Sequence, residues 1–248
     1  MKVSIITITY NSAKTVKDTI ESIAAQTYPD IEHIIIDGAS KDNTLEIVKS
    51  YPNIKFLSES DKGIYDAMNK GVKMATGDIV GILNSDDFYP NDSIIQTVVD
   101  TFVKKQVDSI FGDVKFVAPD NLNKVTRYYS SAKWNPEKFA YGYMPAHPSF
   151  FVKREYYEKF GGFKTDYKIS ADYELLIRFL YVHRISYHYL NKPLVTMRAG
   201  GVSNSSLKSI YVLNKEIVRG CRENGISTNF PKLSLKFFSK ISEFINPK

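Results

Sequence analysis

Cysteine is almost missing from this chain: one residue, Cys221, in 248. A single thiol forms no internal disulfide, which excludes a disulfide-stapled scaffold and favours a reducing compartment. Histidine is scarce too, and the four His residues with the one Cys form no zinc-ligand pattern. No apolar run approaches the roughly 20 residues that span a bilayer. The N-terminal MKVSIITITYN has one lysine and no small-residue cleavage site, so it reads as a first strand, not as a signal peptide. A phosphate-binding GxxxxGK loop is missing, as is GxGxxG after the first strand, and P-loop and dinucleotide-binding readings lose support. Internal repeats, low-complexity tracts and obvious linkers are also missing.

What is present is an ordinary globular composition, 43% hydrophobic and 24% charged, long enough to bury a substantial core. The first hundred residues alternate short β-branched runs with helical spacing. Strands are expected at 3–10, 32–38, 54–59 and 78–84. Helices are expected between them: Val16, Ile20, Ile23 and Ala24 mark one inward face, a short helix covers 43–51, and Ile64, Met68, Val72 and Ala75 mark another face that Gly77 stops. A further helix covers 94–105. This β-α succession predicts a mostly parallel sheet with right-handed crossovers and helices on both faces. From about 109 the pattern changes. SIFGDVKFV and KVTRYYSS read as a hairpin joined by PDNLN, 148–153 as a strand, 171–182 as a helix and 186–198 as extended chain. Helices are expected at 205–224 and 231–245. The fold class is therefore α/β: a Rossmann-like, mostly parallel sheet flanked by helices, closed by a mixed-strand C-terminal half.

In parallel α/β sheets, ligands sit outside the carboxyl ends of the strands. Polar groups gather at those ends here: Tyr10-Asn11, Asp37-Gly38, Glu59 to Asp61, and Asn84-Ser85-Asp86-Asp87. Helix capping alone would account for any one of them but does not require an acidic pair directly after an apolar strand. Adjacent carboxylates repel unless a cation sits beside them. Mn²⁺ or Mg²⁺ prefers such oxygen ligands and completes its shell with phosphate oxygens and water.

SIITITYN, IIIDGASKDNT, DKGIYDAMNKGVKMATGD, LNSDD and SADYELLIRF, in this order, resemble a family 2 inverting glycosyltransferase with the GT-A fold. The resemblance spans roughly residues 1–200 and is nearest to bacterial enzymes of exopolysaccharide and colanic-acid type. It implies a catalytic domain over 1–204, with 1–108 binding the nucleotide sugar and 109–204 the acceptor, and a C-terminal helical extension over 205–248. It implies that Tyr10 lies against the nucleotide base. Asp86 and Asp87 match the carboxylates that contact the ribose and hold the metal on the donor diphosphate. Asp172 matches the general base that takes the acceptor hydroxyl's proton. Three positions depart from the common pattern: Asp37-Gly38 stands for Asp-Asp, Ala67-Met68-Asn69 for Ala-Arg-Asn, and Ala171-Asp172 for Glu-Asp. Gly38 supplies no base contact, so Asp37 is the remaining candidate there.

Asp61 is assigned to the donor, with a helix cap as the plain alternative. His147, in MPAHPSFF, is placed on the acceptor side, with a hydrogen-bonded structural histidine as its alternative. Arg198 precedes a Gly-rich turn (MRAGGVSNSS) whose N–H groups could cradle a diphosphate; the alternative is a surface turn. The tail KLSLKFFSKISEFINPK sets Leu233, Phe237, Ile241 and Phe244 beside Lys232, Lys236 and Lys240 at helical period. Such a helix suits peripheral contact with an anionic membrane over 231–245, or packing on the domain. The net charge of +6 is dispersed without a nucleic-acid motif, and no nucleic-acid partner is expected. The expected function is metal-dependent transfer of a sugar, by default from a UDP-sugar, to a glycan or lipid-linked acceptor. The expected place is the cytoplasm or the inner face of its membrane. Nucleotidyl transfer and a non-catalytic nucleotide-sugar-binding protein are the alternatives.

Overall fold

The structure is a computed structural model that describes residues 1–200 and 207–235. Strand β1 (Val3–Thr9) is buried at all seven positions, and β2 (Ile31–Asp37) at all but its first. Continuous burial of this kind marks a strand covered on both faces, as parallel strands are. β1 pairs in parallel with β2 and with β4 (Ile79–Ile82), and β2 with β3 (Lys55–Ser58). The short β7 (Phe151–Lys153) runs antiparallel between β4 and β5 (Ser109–Ala118). β5 then forms a hairpin with β6 (Asn121–Tyr129) and pairs in parallel with β8 (Tyr187–Arg198). All eight strands belong to one sheet, in the order β3-β2-β1-β4-β7-β5-β6 with β8 on β5.

Side-chain alternation divides the core between the two faces. Val3 and Ile5 face one layer, with Ile79, Ile94, Val98 and Phe102 of β4 and helix α4 (Ile94–Lys105). On that same parity, Ile35 packs with Val16 and Ile20 of α1 (Val16–Ala24) and Val48 of α2 (Thr44–Lys49). Ile6, Ile8, Ile34 and Ile36 face the other layer, built from α3 (Ile64–Met74), α6 (Ala171–Leu176) and α7 (Leu207–Glu223). Helix α5 (Glu155–Phe160) follows β7 and contributes Tyr157 to that layer.

Several expected details shift. Helix α3 turns Tyr65, Met68 and Gly71 inward, while Ile64 is exposed. Gly71 explains the rotation: a Cβ there would stand 2.3 Å from Ile6 Cγ2, so the helix backbone lies directly on β1. Ala24 is exposed, outside the buried face of α1. Gly77 does not stop α3, which ends at Met74; a Cβ at 77 would meet Lys2 O at 2.8 Å, so it is a point of close backbone approach. The hairpin turn is shorter than PDNLN, because sheet pairing draws Asn121 to Asn123 into β6. His147–Ser149 form a 3₁₀ turn around Pro148, which leaves only Phe151–Lys153 as strand. The 171–182 segment is α6 followed by a π-helical stretch, Ile177–Val182. Helical chain covers 230–235; the rest of the expected tail helix lies outside the described residues, as does 201–206 of the Gly-rich turn.

Candidate active site

The loops leaving β1, β2 and β4 are tied to one another at the carboxyl end of the sheet. Asn11 and Ala39 both have positive φ, 50° and 59°, a conformation uncommon for non-glycine residues and frequent at functional loops. The backbone N–H of Asn11 donates to Ser40 Oγ at 2.8 Å, and that of Lys41 to Asn11 Oδ1 at 2.9 Å. Ser12 N–H donates to Thr44 Oγ1 at 2.7 Å, and the Ser12 and Ser85 hydroxyls are 2.9 Å apart.

Asp37 is completely buried. Its carboxylate accepts from Ser40 N–H at 3.1 Å, from the Ser40 hydroxyl, and from Ser58 Oγ at 2.6 Å. It thus joins the ends of β2 and β3. Tyr10 is 60% exposed, and the missing side chain of Gly38 opens a gap beside it. A Cβ on Gly38 would lie 3.4 Å from Tyr10 Cδ2 and 3.1 Å from Asp61 Oδ2. Tyr10, Gly38 and Asp61 therefore share one wall. Lys70, on α3, holds Asp61 at 2.6 Å and Glu59 at 2.9 Å, and stands 3.5 Å from Asp66. These carboxylates hold its ammonium pKa above the usual lysine range.

The two carboxylates of NSDD are placed unequally: Asp87 is fully buried, Asp86 half-buried. Burial, reinforced by the charge of Asp86, pushes the Asp87 carboxyl well above the usual carboxylate range. Asn84 Nδ2 donates to Asp87 Oδ2 at 3.4 Å, while Asp87 Oδ1 has no partner. Thr9 Oγ1, Asn84 Oδ1 and Thr196 Oγ1 are likewise buried without partners. They stand at the end of β1, in the loop after β4, and on β8 where Thr196 bridges Phe88. An orphaned buried carboxylate oxygen beside the second carboxylate of Asp86 fits a hard divalent cation. Among the described residues no three His, Cys, Asp or Glu side chains converge on a metal position, so the carboxylate ligands there would be Asp86 and Asp87. Arg198 does not extend freely into the crevice. Its Nη1 donates to the Asp86 carbonyl at 2.5 Å, its Nη2 pairs with Asp18 of α1, and its Cζ lies 5.3 Å over the Phe88 ring.

On the other side of α3, Asp172 is the second residue of α6, with Ser170 and not Asp172 in the N-cap position. Its Oδ1 accepts from Tyr173 N–H at 2.8 Å and faces Tyr65 Oη at 3.4 Å. Burial raises its carboxyl above the usual range, with His147 pulling the other way. Burial lowers the His147 imidazole below its usual range, opposed by the charge of Asp172. Phe163 lines the same region, stacked on Tyr65 at 5.8 Å and edge-on to His147 at 5.9 Å. Structure thus joins His147 and Asp172 in one cluster, and Tyr10, Asp37 and Asp61 in another around Gly38. Asp86, Asp87 and Arg198 form the third. Tyr65, Lys70, Phe163 and Asp18 were not singled out in the sequence. The DKGIYDAMNK spacing, with Lys70 four residues after Asp66, was the available signal for Lys70.

The sequence profile of Glycosyl transferase family 2 matches residues 4–161, more than half of the chain. The chain belongs to that family. A "PGL/p-HBAD biosynthesis glycosyltransferase" of Mycobacterium bovis is 27% identical over 223 residues, covering 87% of this chain and 82% of the relative. Among solved structures, S. aureus TarS 1–349 in complex with UDP-GlcNAc superposes with a TM-score of 0.69 at 21% identity, over 89% of this chain and 66% of that fragment. The mannosyltransferase PcManGT from Pyrobaculum calidifontis, in complex with GDP-Man and Mn²⁺, gives 0.61 at 19% identity, over 97% of this chain and 80% of that one. These likenesses establish the GT-A α/β fold. The family profile ends before Asp172, so Phe163, Asp172 and α7 lie beyond it, while Tyr65 and His147 lie within it. Among the described residues no helix is long and apolar enough to cross a membrane.

Proposed function

We propose that this family 2 glycosyltransferase moves one sugar, with inversion, from a nucleotide sugar to a glycan or lipid-linked acceptor in cell-surface polysaccharide assembly of the exopolysaccharide and colanic-acid type. UDP-sugars are the default donors; the TarS and PcManGT complexes carry UDP-GlcNAc and GDP-Man respectively. The observation that carries the reading is the Asp172 cluster. A carboxylate whose pKa burial has raised is a stronger base, and a general base works best with a pKa nearer the working pH. Asp172 takes the proton of the acceptor hydroxyl as its oxygen bonds to the anomeric carbon. The bond from that carbon to the diphosphate oxygen breaks, and the nucleoside diphosphate leaves from the opposite side. Tyr65 and His147 hold Asp172 in place and exclude water, and the Phe163 ring offers a face to the acceptor sugar.

On the donor side, the exposed Tyr10 ring stacks on the base, and Asp61 meets the donor across the gap at Gly38. Asp37 shapes the base-binding loop through Ser40 and Ser58, and Arg198 fixes the loop that carries Asp86. Asp86 and Asp87 are the residues to hold Mn²⁺ or Mg²⁺, which when bound neutralises charge on the diphosphate as a Lewis acid.

Membrane contact forms part of the same proposal. The outward face of α7 exposes Lys208, Tyr211, Lys215 and Arg222, and the three cations have no carboxylate partner among the described residues. Phe230 stacks on Tyr211 at 6.4 Å, and Leu235 is exposed beyond it, whereas Leu233 turns into the core. Exposed aromatics among unpaired cations suit an anionic lipid surface, each cation contributing about 1 kcal/mol near it.

A panel of UDP-GlcNAc, UDP-glucose and GDP-mannose, each with and without Mn²⁺, tests the reading. A donor at 100 times its Kd stabilises the native state by about 2.7 kcal/mol, or about 5–11 °C in Tm for a chain of this size. Nucleoside diphosphate release then supports glycosyl transfer. Pyrophosphate release means nucleotidyl transfer, and donor binding without turnover on a broad acceptor panel means a binding protein.

A further inference from the structure

Helix α7 presents a second, partly exposed row made of Glu216, Arg219 and Glu223, spaced so that all three lie on one side. This row holds the segment that leads into α6. Glu223 accepts from the Tyr167 hydroxyl at 2.9 Å and pairs with Lys164 at 2.8 Å. Arg219 pairs with Asp166 and lies 4.3 Å over the Tyr167 ring. Glu216 does something more specific. Its Oε1 accepts from Lys168 N–H at 2.7 Å, and its Oε2 accepts from Ile169 and Ser170 N–H, both at 2.9 Å. Ser170 is the N-cap residue of α6 and is almost fully buried, and its hydroxyl donates to Leu213 O of α7 at 3.3 Å.

N–H groups around a helix start have no partner within the helix, and a carboxylate that takes three in succession fixes the direction in which the chain enters. Asp172 follows two residues later, before the helix has completed its first turn.

We infer that Glu216 is a positioning residue of the active site, setting the place of Asp172 through the backbone of Lys168, Ile169 and Ser170. The inference rests on the reading of Asp172 as general base. It makes α7 part of the catalytic apparatus through the backbone that leads into α6. Glutamine at 216 keeps the size but replaces one acceptor oxygen with an NH₂ group that cannot accept, so at least one of the three N–H groups loses its partner.

The test uses the full chain and nucleoside diphosphate release from the donor that turns over in the panel, UDP-GlcNAc first, comparing Glu216→Gln with Glu223→Gln. Glu223 loosens the same helix–segment contact farther from Asp172 and serves as the structural control. Glu216→Gln is expected to lower kcat about tenfold or more, because small misplacement of a catalytic group costs this much. Donor KM and the donor-induced Tm shift are expected to stay within about twofold and about 2 °C of wild type, and Glu223→Gln to keep kcat within about threefold. An unchanged kcat in Glu216→Gln overturns the inference, as does a kcat loss in both variants proportional to their loss of Tm. If Glu216→Gln yields no folded protein, Glu216→Asp, one methylene shorter, decides by the same split of kcat against KM. Asp172→Asn separates the two readings. If it transfers at the wild-type rate, the base assignment fails and the inference with it. If it is inactive while Glu216→Gln is fully active, the inference alone fails.

Discussion

Asp172→Asn isolates proton transfer from binding because the amide keeps the shape of the carboxylate. The amide oxygen of this variant still accepts from Tyr173 N–H, a bond of 2.8 Å in the wild type, and still faces Tyr65. What disappears is the proposed base. General-base catalysis contributes about 10²–10⁴ in rate, so kcat falls by that factor, or about 2.7–5.4 kcal/mol of transition-state stabilisation. Stability moves the other way. Burial raises the folded-state pKa of Asp172 above its unfolded value. The folded protein then binds the proton more tightly than the unfolded chain, and this favourable contribution is complete only below the unfolded carboxylate value near 3.9. It is lost as pH rises through the higher folded value. As pH rises the wild type loses that contribution, whereas an amide never ionises. The Tm difference between Asp172→Asn and wild type therefore becomes more positive on going from pH 4 to pH 7. In the wild type, the acid limb of kcat/KM should fall above the ordinary carboxylate range, since the ionised form is the active one. Thermal denaturation at the two pH values, the donor-induced Tm shift and nucleoside diphosphate release read out all three effects. Transfer at near wild-type rate by the amide variant, or loss of donor binding together with a lower Tm at pH 7, refutes the reasoning.

Four other outcomes are expected. EDTA should abolish transfer and Mn²⁺ or Mg²⁺ restore it, while Asp87→Asn should need at least about tenfold more metal for half-maximal rate; metal titration of both proteins decides. Gly38→Val should raise donor KM at least about tenfold with little change in Tm, because its Cβ enters the gap between Tyr10 and Asp61; an unchanged KM would place the donor elsewhere. Gly71→Ala should lower Tm by up to about 8 °C: an overpacking cost of about 1–3 kcal/mol against Ile6 offsets or outweighs the roughly 1 kcal/mol that alanine adds to a helix. A rise in Tm on scanning calorimetry would show that α3 can lift off β1. Replacing Lys208, Lys215 and Arg222 with Gln and Tyr211 with Ser should abolish flotation with vesicles of anionic lipid, and equal flotation of both proteins removes the lipid surface from α7.

Much of the N-terminal half was legible because its signals are local. β-branched runs such as SIITIT and HIII leave one conformation that buries them, and polar residues directly after them fall at strand ends by construction. The phase of α3 was not legible. Ile64 and Tyr65 are both apolar enough to face inward, and the choice is made by Gly71 meeting Ile6, a contact invisible to periodicity. Asp86 and Asp87 form one motif in sequence, yet burial separates them, because Asp87 lies under Asn84 while the carbonyl of Asp86 is held by Arg198. Arg198 with Asp18, and Glu216 with the start of α6, pair across long stretches of chain. No local pattern encodes such pairs; they follow from tertiary packing.

The Asp37-Gly38 dipeptide follows from its surroundings once Asp61 is placed. Asp37 accepts two hydroxyls and a backbone N–H, so its carboxylate is committed to joining β2 and β3. The next residue points into the wall shared by Tyr10 and Asp61, with 3.1 Å between a new Cβ and the Asp61 carboxylate. A second aspartate there would set two carboxylates against each other, with Lys70 already engaged by Glu59 and Asp61. Glycine at 38 and the carboxylate at 61 are thus expected to be energetically coupled, because in this chain the wall carries its carboxylate from the loop after β3. Gly38→Asp should then weaken donor binding in the presence of Asp61 and recover part of it when combined with Asp61→Asn, a double-mutant coupling that equal, additive losses would disprove.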